Sequence, residues 1–434
     1  MPSFFLRTFG CRANQADSAG IREALAALSM EETGDWRRAD LILVNSCTVT
    51  HRSDREVRQV VRRLHGGNPG ARIVVLGCYA QRDPGGVAAL PGVRLVVGNA
   101  ERARLPELLQ EMADSGPARV SWSPVDAAAE CPLPPMGRTG GKTRPLVKIQ
   151  DGCDSGCAYC IVPKVRGPGR SARPEAVLAE IAALTAAGFR EIVLTGVHLG
   201  AYGRKREGHP GLAELLERIV RIPDLGRVRL SSIEPMDFDP GILRLAASSP
   251  VVAHHFHIPL QSGCDRILRL MHRPYGAARY RELVGEIVRL LPDAAVGTDV
   301  LVGFPGETEE DFAAGCALLE ELPLAYLHVF PFSPREGTEA FALPGRVAPR
   351  ALARRLERVH AIGRAKSVAF RRRFVGRPLP AITLSAGPGG TRVLTGNYLS
   401  ARIPDALPPN RLVTVRLEEP EALASLIKNG DGPE

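Results

Sequence analysis

Three thiols fall within eight residues in Asp151-Gly152-Cys153-Asp154-Ser155-Gly156-Cys157-Ala158-Tyr159-Cys160, and no fourth follows them. A structural zinc site expects four ligands, usually as paired cysteine hooks, so CxxxCxxC fits it poorly. A 4Fe-4S cluster on three thiolates fits better, because one iron stays free of protein and can take a substrate or cofactor. The aromatic Tyr159 just before the third cysteine strengthens that choice. Three more cysteines, Cys11, Cys47 and Cys78, each follow an apolar run: FFLRTFGC, LILVNSC and IVVLGC. If those runs are parallel strands joined by crossover helices, their C-terminal ends share one edge of a sheet, where open α/β sheets place ligands. A single cysteine there reads as a small buried apolar residue. Three in the same topological position read as a second ligand set.

The elements that must position these thiols are legible as apolar runs. Residues 4–6, 41–44, 73–76 and 95–97 are short apolar segments ended by Gly or Asn, as buried parallel strands are. Ile21, Leu25 and Leu28 recur at helical spacing after the capping candidates Asp17 and Ser18, and Val57, Val60, Val61 and Leu64 do so after Ser53-Asp54. This predicts a doubly wound parallel α/β domain over 1–114, followed by a Gly/Pro/Ser-rich linker over 115–144. Strand candidates at 146–149, 192–194, 228–230, 255–258, 300–302 and 327–330 alternate with helical stretches such as 176–187 and 212–220. Six such units over 145–373 predict a partial (β/α)6 barrel with its site at the C-terminal strand ends. There the loops carry Gly196, Ser231, Glu234 and Gln261. The basic helix of residues 350–373 reads first as a solvated face. Short strand candidates at 381–384, 391–394 and 412–415 predict a small antiparallel β-barrel over 374–434.

With 434 residues, 44% hydrophobic and 24% charged, the chain can build two or three cores without disulfides. The start MPSFFLRTFGC lacks the pattern of a secretory signal, and no segment has membrane-spanning length, so the expected location is cytoplasmic. Nine cysteines in a reducing compartment are ligands, catalytic groups or core residues rather than bridges. The formal charge of +9 favours a polyanionic partner. Gly140-Gly141-Lys142-Thr143 lacks the first glycine of a phosphate loop, which would stand at Met136. His254, His255 and His257 read as structural, since alternate strand residues face opposite sides. Cys131, Cys264 and Cys316 receive no ligand role.

At this point the sequence resembles the radical S-adenosylmethionine (SAM) superfamily, and more narrowly the methylthiotransferases. TFGCRANQADS, NSCTVT and VVLGCYAQ resemble that family's N-terminal domain; QDGCDSGCAYCIVPKVRGPGRS, LTGVHLGAYG, RLSSIEP, HIPLQSGCDRILRLMHRPY, TDVLVGFPGET and FSPREGT resemble its catalytic domain. The terminal barrel is similar to its RNA-binding TRAM-like module. The resemblance implies two 4Fe-4S clusters, one on Cys153, Cys157 and Cys160 and one on Cys11, Cys47 and Cys78, with SAM used twice per turnover. One SAM would yield a 5′-deoxyadenosyl radical to remove an aryl hydrogen, and a second would methylate sulfur supplied from the N-terminal cluster. It also assigns SAM or substrate contacts to Tyr159, Gly196, Ser231, Glu234 and Gln261, and no catalytic side chain beyond the cluster ligands.

TFGCRANQ, NSCTVTHRSDREVRQ and PKVRGPGRS look most like the branch acting on N6-threonylcarbamoyladenosine at position 37 of tRNA. The alternatives are the isopentenyladenosine branch, the branch acting on a ribosomal protein aspartate, and a non-catalytic metal-containing RNA-binding protein. One departure is Ala172 after Arg170-Ser171, where the family commonly has Arg-Ser-Arg. The implied partners are a tRNA anticodon stem-loop, an electron donor such as flavodoxin or ferredoxin, and a sulfur donor, with the chain a monomer. Arg52, Arg55, Arg58, Arg62, Arg63 and the basic helix would grip phosphates.

Overall fold

The computed structural model describes residues 1–113, 115–125, 131, 133, 143–204, 208–419 and 424–427. Strands β1 (Ser3–Thr8), β2 (Glu31–Glu32), β3 (Leu41–Ser46), β4 (Arg72–Gly77), β5 (Val93–Val97) and β6 (Arg119–Ser121) form a parallel sheet in the order β2-β1-β3-β4-β5-β6. All six residues of β3 are buried, which explains why LILVNS reads as a continuous run rather than an alternation. One face, with Phe4, Leu6, Leu41 and Leu43, packs on Ile21 and Leu25 of the helix Arg12–Ala27. The opposite face, with Ile42, Val44, Ile73 and Val75, packs on Val57, Val61 and Leu64 of the helix His51–Gly67. The sheet is thus doubly wound, and its order reverses between β1 and β3.

Three local expectations are corrected. The first helix starts at Arg12 with Cys11 as its cap position, so Asp17 and Ser18 are buried mid-helix residues rather than caps. The second starts at His51, where the Thr50 side chain accepts from Ser53 N, so Ser53 and Asp54 lie in its first turn. Part of the expected linker is strand, because β6 pairs with β5 and Cys131 is buried with its N–H on Ser171 O at 3.2 Å. The decoy residues Gly140, Gly141 and Lys142 lie outside the described residues.

The six expected barrel strands are all present: β7 (Leu146–Asp151), β9 (Glu191–Gly196), β10 (Arg227–Leu230), β11 (His255–His257), β12 (Ala295–Val302) and β13 (Tyr326–Pro331). They pair in parallel as β10-β9-β7 and β11-β12-β13, and single bridges Val228↔Val252 and Ser232↔His257 join the two arcs. The short β8 (Arg170–Ser171) pairs antiparallel on β7. Alternate residues Val147, Ile149, Ile192, Leu194, Val228, Leu230 and Phe256 build the core under the outer helices. The other register, including Lys148, Gln150, Thr195, Arg229, His255 and His257, faces the lumen. Ala172 is in the core at 1% exposure, so an arginine at that position would not simply occupy the same place.

The C-terminal strands β14 (Pro378–Gly387), β15 (Gly390–Thr395), β16 (Ser400–Ile403), β17 (Leu412–Leu417) and β18 (Ala424–Ile427) form an antiparallel sheet ordered β16-β15-β14-β17-β18, whose edge strands approach each other as in a small barrel. The basic helix, Pro349–Arg372, is less solvated than its charge predicts. Arg355 is buried and donates to Glu307 at 2.8 Å and Glu309 at 2.8 Å, and Arg371 is buried against Ser400 O. Among the described residues no helix is long and apolar enough to cross a membrane.

Candidate metal centres

Cys11 and Cys47 follow β1 and β3, the two strands that flank the order reversal, and Cys78 follows β4. That crevice is where open α/β sheets bind ligands. A side chain at Gly10 (φ +87°) would stand 2.7 Å from both Cβ and Sγ of Cys47, so the turn admits only glycine there. Asn14, fully buried, ties the site together: its Nδ2 donates to Phe9 O at 2.8 Å and to Ser46 O at 2.9 Å. Asn99 Nδ2 lies 3.7 Å from Cys78 Sγ. Burial, reinforced by the neighbouring Cys78 thiol, pushes Cys47 up to about 12. A thiol in that setting becomes a thiolate only with a strong cation beside it, which is the condition a metal cluster supplies.

The second triplet sits at the end of β7. Gly152 (φ +75°) precedes Cys153, and a Cβ there would meet Pro168 O at 1.9 Å. Ser155 N donates to Cys153 Sγ at 3.4 Å, and His198 Nδ1 lies 3.4 Å from the same sulfur. Burial alone would raise Cys153, but His198 and Ser155 outweigh it and hold the thiol below its ordinary value. His198 is oriented by Asp237 through its other ring nitrogen. Arg273 Nη1 donates to Cys157 Sγ at 3.1 Å, its Nη2 pairs with Glu234, and its Nε donates to Tyr275 Oη at 2.9 Å. Burial pushes Cys160 up to about 12. N–H donors aimed at sulfur fit electron-rich cluster ligands, so both triplets suit the group implied for them.

Among the other expected site residues, Tyr159 and Glu234 lie in the charge field of Arg273 and Cys157. Gly196 ends β9, where a Cβ would press on Gln150 at 3.0 Å. Ser231 follows β10 with its buried Oγ unpartnered, and Gln261 takes φ +66° while its N–H donates to Asp299 O and its C=O accepts from Leu301 N. All five lie at or beyond the C-terminal ends of barrel strands.

The two triplets adjoin. Cys78 packs with Ile161 and Val165, the residues that follow Cys160. Beside them a buried charge network crosses between the sheets. Asp17 on the first helix pairs with Lys148 of β7 at 2.5 Å, Arg166 at 2.8 Å and Arg102 at 2.7 Å, while Asp151 pairs with Lys148 and Arg166. Arg166, Arg273, His198, Asp237, Asn14 and Asn99 escape sequence reasoning because each acts on sulfur or charge brought from a distant segment. Arg273 and His198 at least stand within the MHRPY and LTGVHLG stretches already singled out.

A separate cavity of about 360 Å³ opens where the first helix, the barrel and the C-terminal sheet meet. Arg12, Arg144, Arg229, Arg392 and Tyr398 line it. One carboxylate, Glu191, serves Arg144, Arg227 and Arg229 at 3.4, 3.0 and 2.9 Å. Among the described residues neither Arg12, which donates to Tyr398 Oη at 3.1 Å, nor Arg392 has an acidic partner. The cavity therefore carries excess positive charge and suits an anion.

The model of the uncharacterized protein family UPF0004 matches residues 3–98, and that of the radical SAM superfamily matches residues 147–319. The threonylcarbamoyladenosine tRNA methylthiotransferase MtaB of Aquifex aeolicus is 35% identical over 91% of this chain and 95% of that protein. The tRNA-2-methylthio-N(6)-dimethylallyladenosine synthase of Parafrankia sp. is 36% identical over 99% of this chain and 86% of that protein. Among solved structures, the radical SAM methyltransferase TsrM of Kitasatospora setae shares the fold, with TM-score 0.55 at 17% identity over 79% of this chain and 77% of that one. Membership of the superfamily implies a 4Fe-4S cluster and SAM. With a three-thiol site at the end of the first barrel strand and relatives of this likeness along nearly its whole length, the chain is an enzyme of the radical SAM methylthiotransferase family.

Proposed function

We propose that this enzyme inserts a methylthio group at C2 of N6-threonylcarbamoyladenosine at position 37 of tRNA, using one cluster on Cys153, Cys157 and Cys160 and another on Cys11, Cys47 and Cys78. Identities of 35% and 36% to relatives named for two different adenosines do not choose between them. The observation that carries the choice is the arginine-lined cavity where the first helix, the barrel and the C-terminal sheet meet. A threonylcarbamoyl group presents a carboxylate and a hydroxyl, which guanidinium forks and Tyr398 can bind. A dimethylallyl group is apolar and would leave those cations unpaired.

When bound, the cluster and SAM supply a carbon radical able to take hydrogen from an aromatic C–H bond, which is not acidic enough for a side-chain base. The chain's own residues hold the parts. Arg273 braces the Cys157 sulfur against Glu234, and His198, fixed by Asp237, braces Cys153. Tyr159, Gly196, Ser231, Glu234 and Gln261 would contact SAM at the barrel edge, the unpartnered Ser231 hydroxyl being available for its polar groups. The packing of Cys78 on Ile161 and Val165, which follow Cys160, supports direct delivery of sulfur from one cysteine set to a substrate at the other. The exposed Arg52, Arg55, Arg62 and Arg63 of the helix His51–Gly67 offer phosphate contacts outside the cavity. An electron donor and a sulfur donor complete the reaction.

A second reading, the dimethylallyladenosine substrate, is favoured by the near-complete coverage of the Parafrankia relative. Anaerobic incubation of the reconstituted enzyme with SAM, a reductant and tRNA carrying either nucleoside, followed by nucleoside mass spectrometry, decides between them. Product from threonylcarbamoyladenosine alone is expected, and product from dimethylallyladenosine alone would transfer the assignment to the second reading.

A further inference from the structure

In the lumen of the partial barrel, and sharing no residue with either cysteine triplet, three adjacent parallel strands bring ligand-type side chains into one cluster. These are His257 on β11, Asp299 on β12 and His328 on β13. His257 Nε2 lies 2.9 Å and His328 Nδ1 3.3 Å from the same oxygen, Asp299 Oδ1. All three ligand atoms fall within 4.8 Å of one another. A metal at about 2.0–2.1 Å from each atom of a tetrahedral N/O set separates those atoms by a little over 3 Å, close to the two sides of the triangle that meet at Asp299.

Strand geometry explains the grouping. Phe256 turns outward and packs edge-on against Phe238 at 5.6 Å, which sends His255 and His257 to the lumen side together. The expectation that the histidines are merely structural therefore misses their neighbours on other strands. Gly297, the β12 residue opposite Tyr326, gives the Tyr326 ring its space, for a Cβ there would stand 2.0 Å from the ring. The Tyr326 hydroxyl then lies 3.0 Å from His257 Nδ1 and 2.8 Å from His255 Nε2. A hydrogen-bonded second ring nitrogen is the outer support that metal-bound imidazoles usually have. The side chains range from 6% exposed at His257 through 22% at Asp299 to 53% at His328, so the triangle is anchored at one end and open to the lumen at the other.

We propose that His257, Asp299 and His328 form a binding site for a borderline divalent metal ion such as Zn²⁺, with its remaining coordination position open to the lumen. Two imidazoles and one carboxylate form a ligand set for zinc or a related first-row ion, whereas Mg²⁺ and Ca²⁺ prefer all-oxygen sites. The competing occupant of the triangle is a proton, with His257 simply donating to Asp299.

The test uses the enzyme with its cysteine sites loaded by iron and sulfide, in the absence of RNA, so that its outcome is independent of the substrate assignment. Equilibrium dialysis against Zn²⁺ with elemental analysis should find one tightly held zinc per chain. Zinc-edge X-ray absorption should show a nitrogen and oxygen shell at about 2.0–2.1 Å without sulfur at about 2.3 Å. His328→Ala, a change at an exposed side chain, should weaken binding by more than the roughly 10- to 100-fold that loss of an outer partner costs. Asp299→Asn, which keeps the shape, should do the same. Absence of bound zinc, a sulfur shell, or zinc binding indifferent to both substitutions would overturn the site.

Discussion

Replacing Gly10 with alanine puts the proposed cluster on Cys11, Cys47 and Cys78 to a direct test. Gly10 sits at φ +87°, a conformation that costs an L-residue about 1–2 kcal/mol. The larger effect is positional. The new Cβ would stand 2.7 Å from both Cβ and Sγ of Cys47, against an ordinary separation of about 3.5–4.0 Å between nonbonded carbons, so Cys47 must retreat by about 1 Å. Metal–ligand distances tolerate only about ±0.2 Å. Cys47 is buried, in the short turn that links β3 to the helix His51–Gly67. Gly10→Ala should therefore drop iron after reconstitution from about eight to about four per chain, the content of one 4Fe-4S cluster. Cleavage of SAM to 5′-deoxyadenosine should continue at the Cys153 site while methylthio product disappears. Gly66→Ala, with no atom within 4 Å of the added carbon, is the control and should change neither. A Gly10→Ala enzyme that holds about eight irons and forms product at the parental rate would refute the placement of the N-terminal cluster.

Further outcomes follow from the charges around that site. Asp17→Asn leaves Lys148, Arg166 and Arg102 buried with one fewer counter-charge, and denaturant titration should show a loss of about 3–5 kcal/mol. Burial would raise the Asp17 carboxyl, but the three cations outweigh it and hold it at about 2 against an ordinary 3.8. Its contribution is therefore full above about pH 4 and fades as pH falls toward 2, so the stability gap between parent and Asp17→Asn should close over that window in acid titrations. Arg273→Lys keeps one charge but cannot span Cys157 and Glu234 together; SAM cleavage should fall roughly 10- to 100-fold, the equivalent of about 1.5–3 kcal/mol, with iron content unchanged. Arg55→Ala should reduce the slope of log affinity for tRNA against log salt by about 0.9, one phosphate contact, and an unchanged slope would remove Arg55 from the interface.

Much of the architecture is legible along the chain because burial writes itself into local pattern. Continuous apolar runs such as LILVNS and IVVLG mark strands covered on both faces, and both folded as parallel strands. Helix starts are less legible. Asp17 and Ser18 have the chemistry of caps, yet the helix begins at Arg12, and Asp17 spends its charge on cations from three distant segments. β6 is hidden in a polar stretch because an edge strand of three residues carries almost no periodicity.

What the sequence by itself determined is the set of thiols and their attachment to strand ends. Cysteine spacing within 153–160 and the position of Cys11, Cys47 and Cys78 after apolar runs are one-dimensional facts, and parallel strands convert sequence separation into a shared edge. Only the tertiary structure decided that the two triplets adjoin through Cys78, Ile161 and Val165. It alone brought Arg273 to Cys157, gathered Arg12 of the first helix, Arg144, Arg229 of β10 and Arg392 of β15 into one cavity, and set His257 beside Asp299 and His328. The physical reason is range. Periodicity records which face of a single element is buried, whereas a charge or a ligand selects its partner by distance in space, and that distance is fixed only when the elements pack.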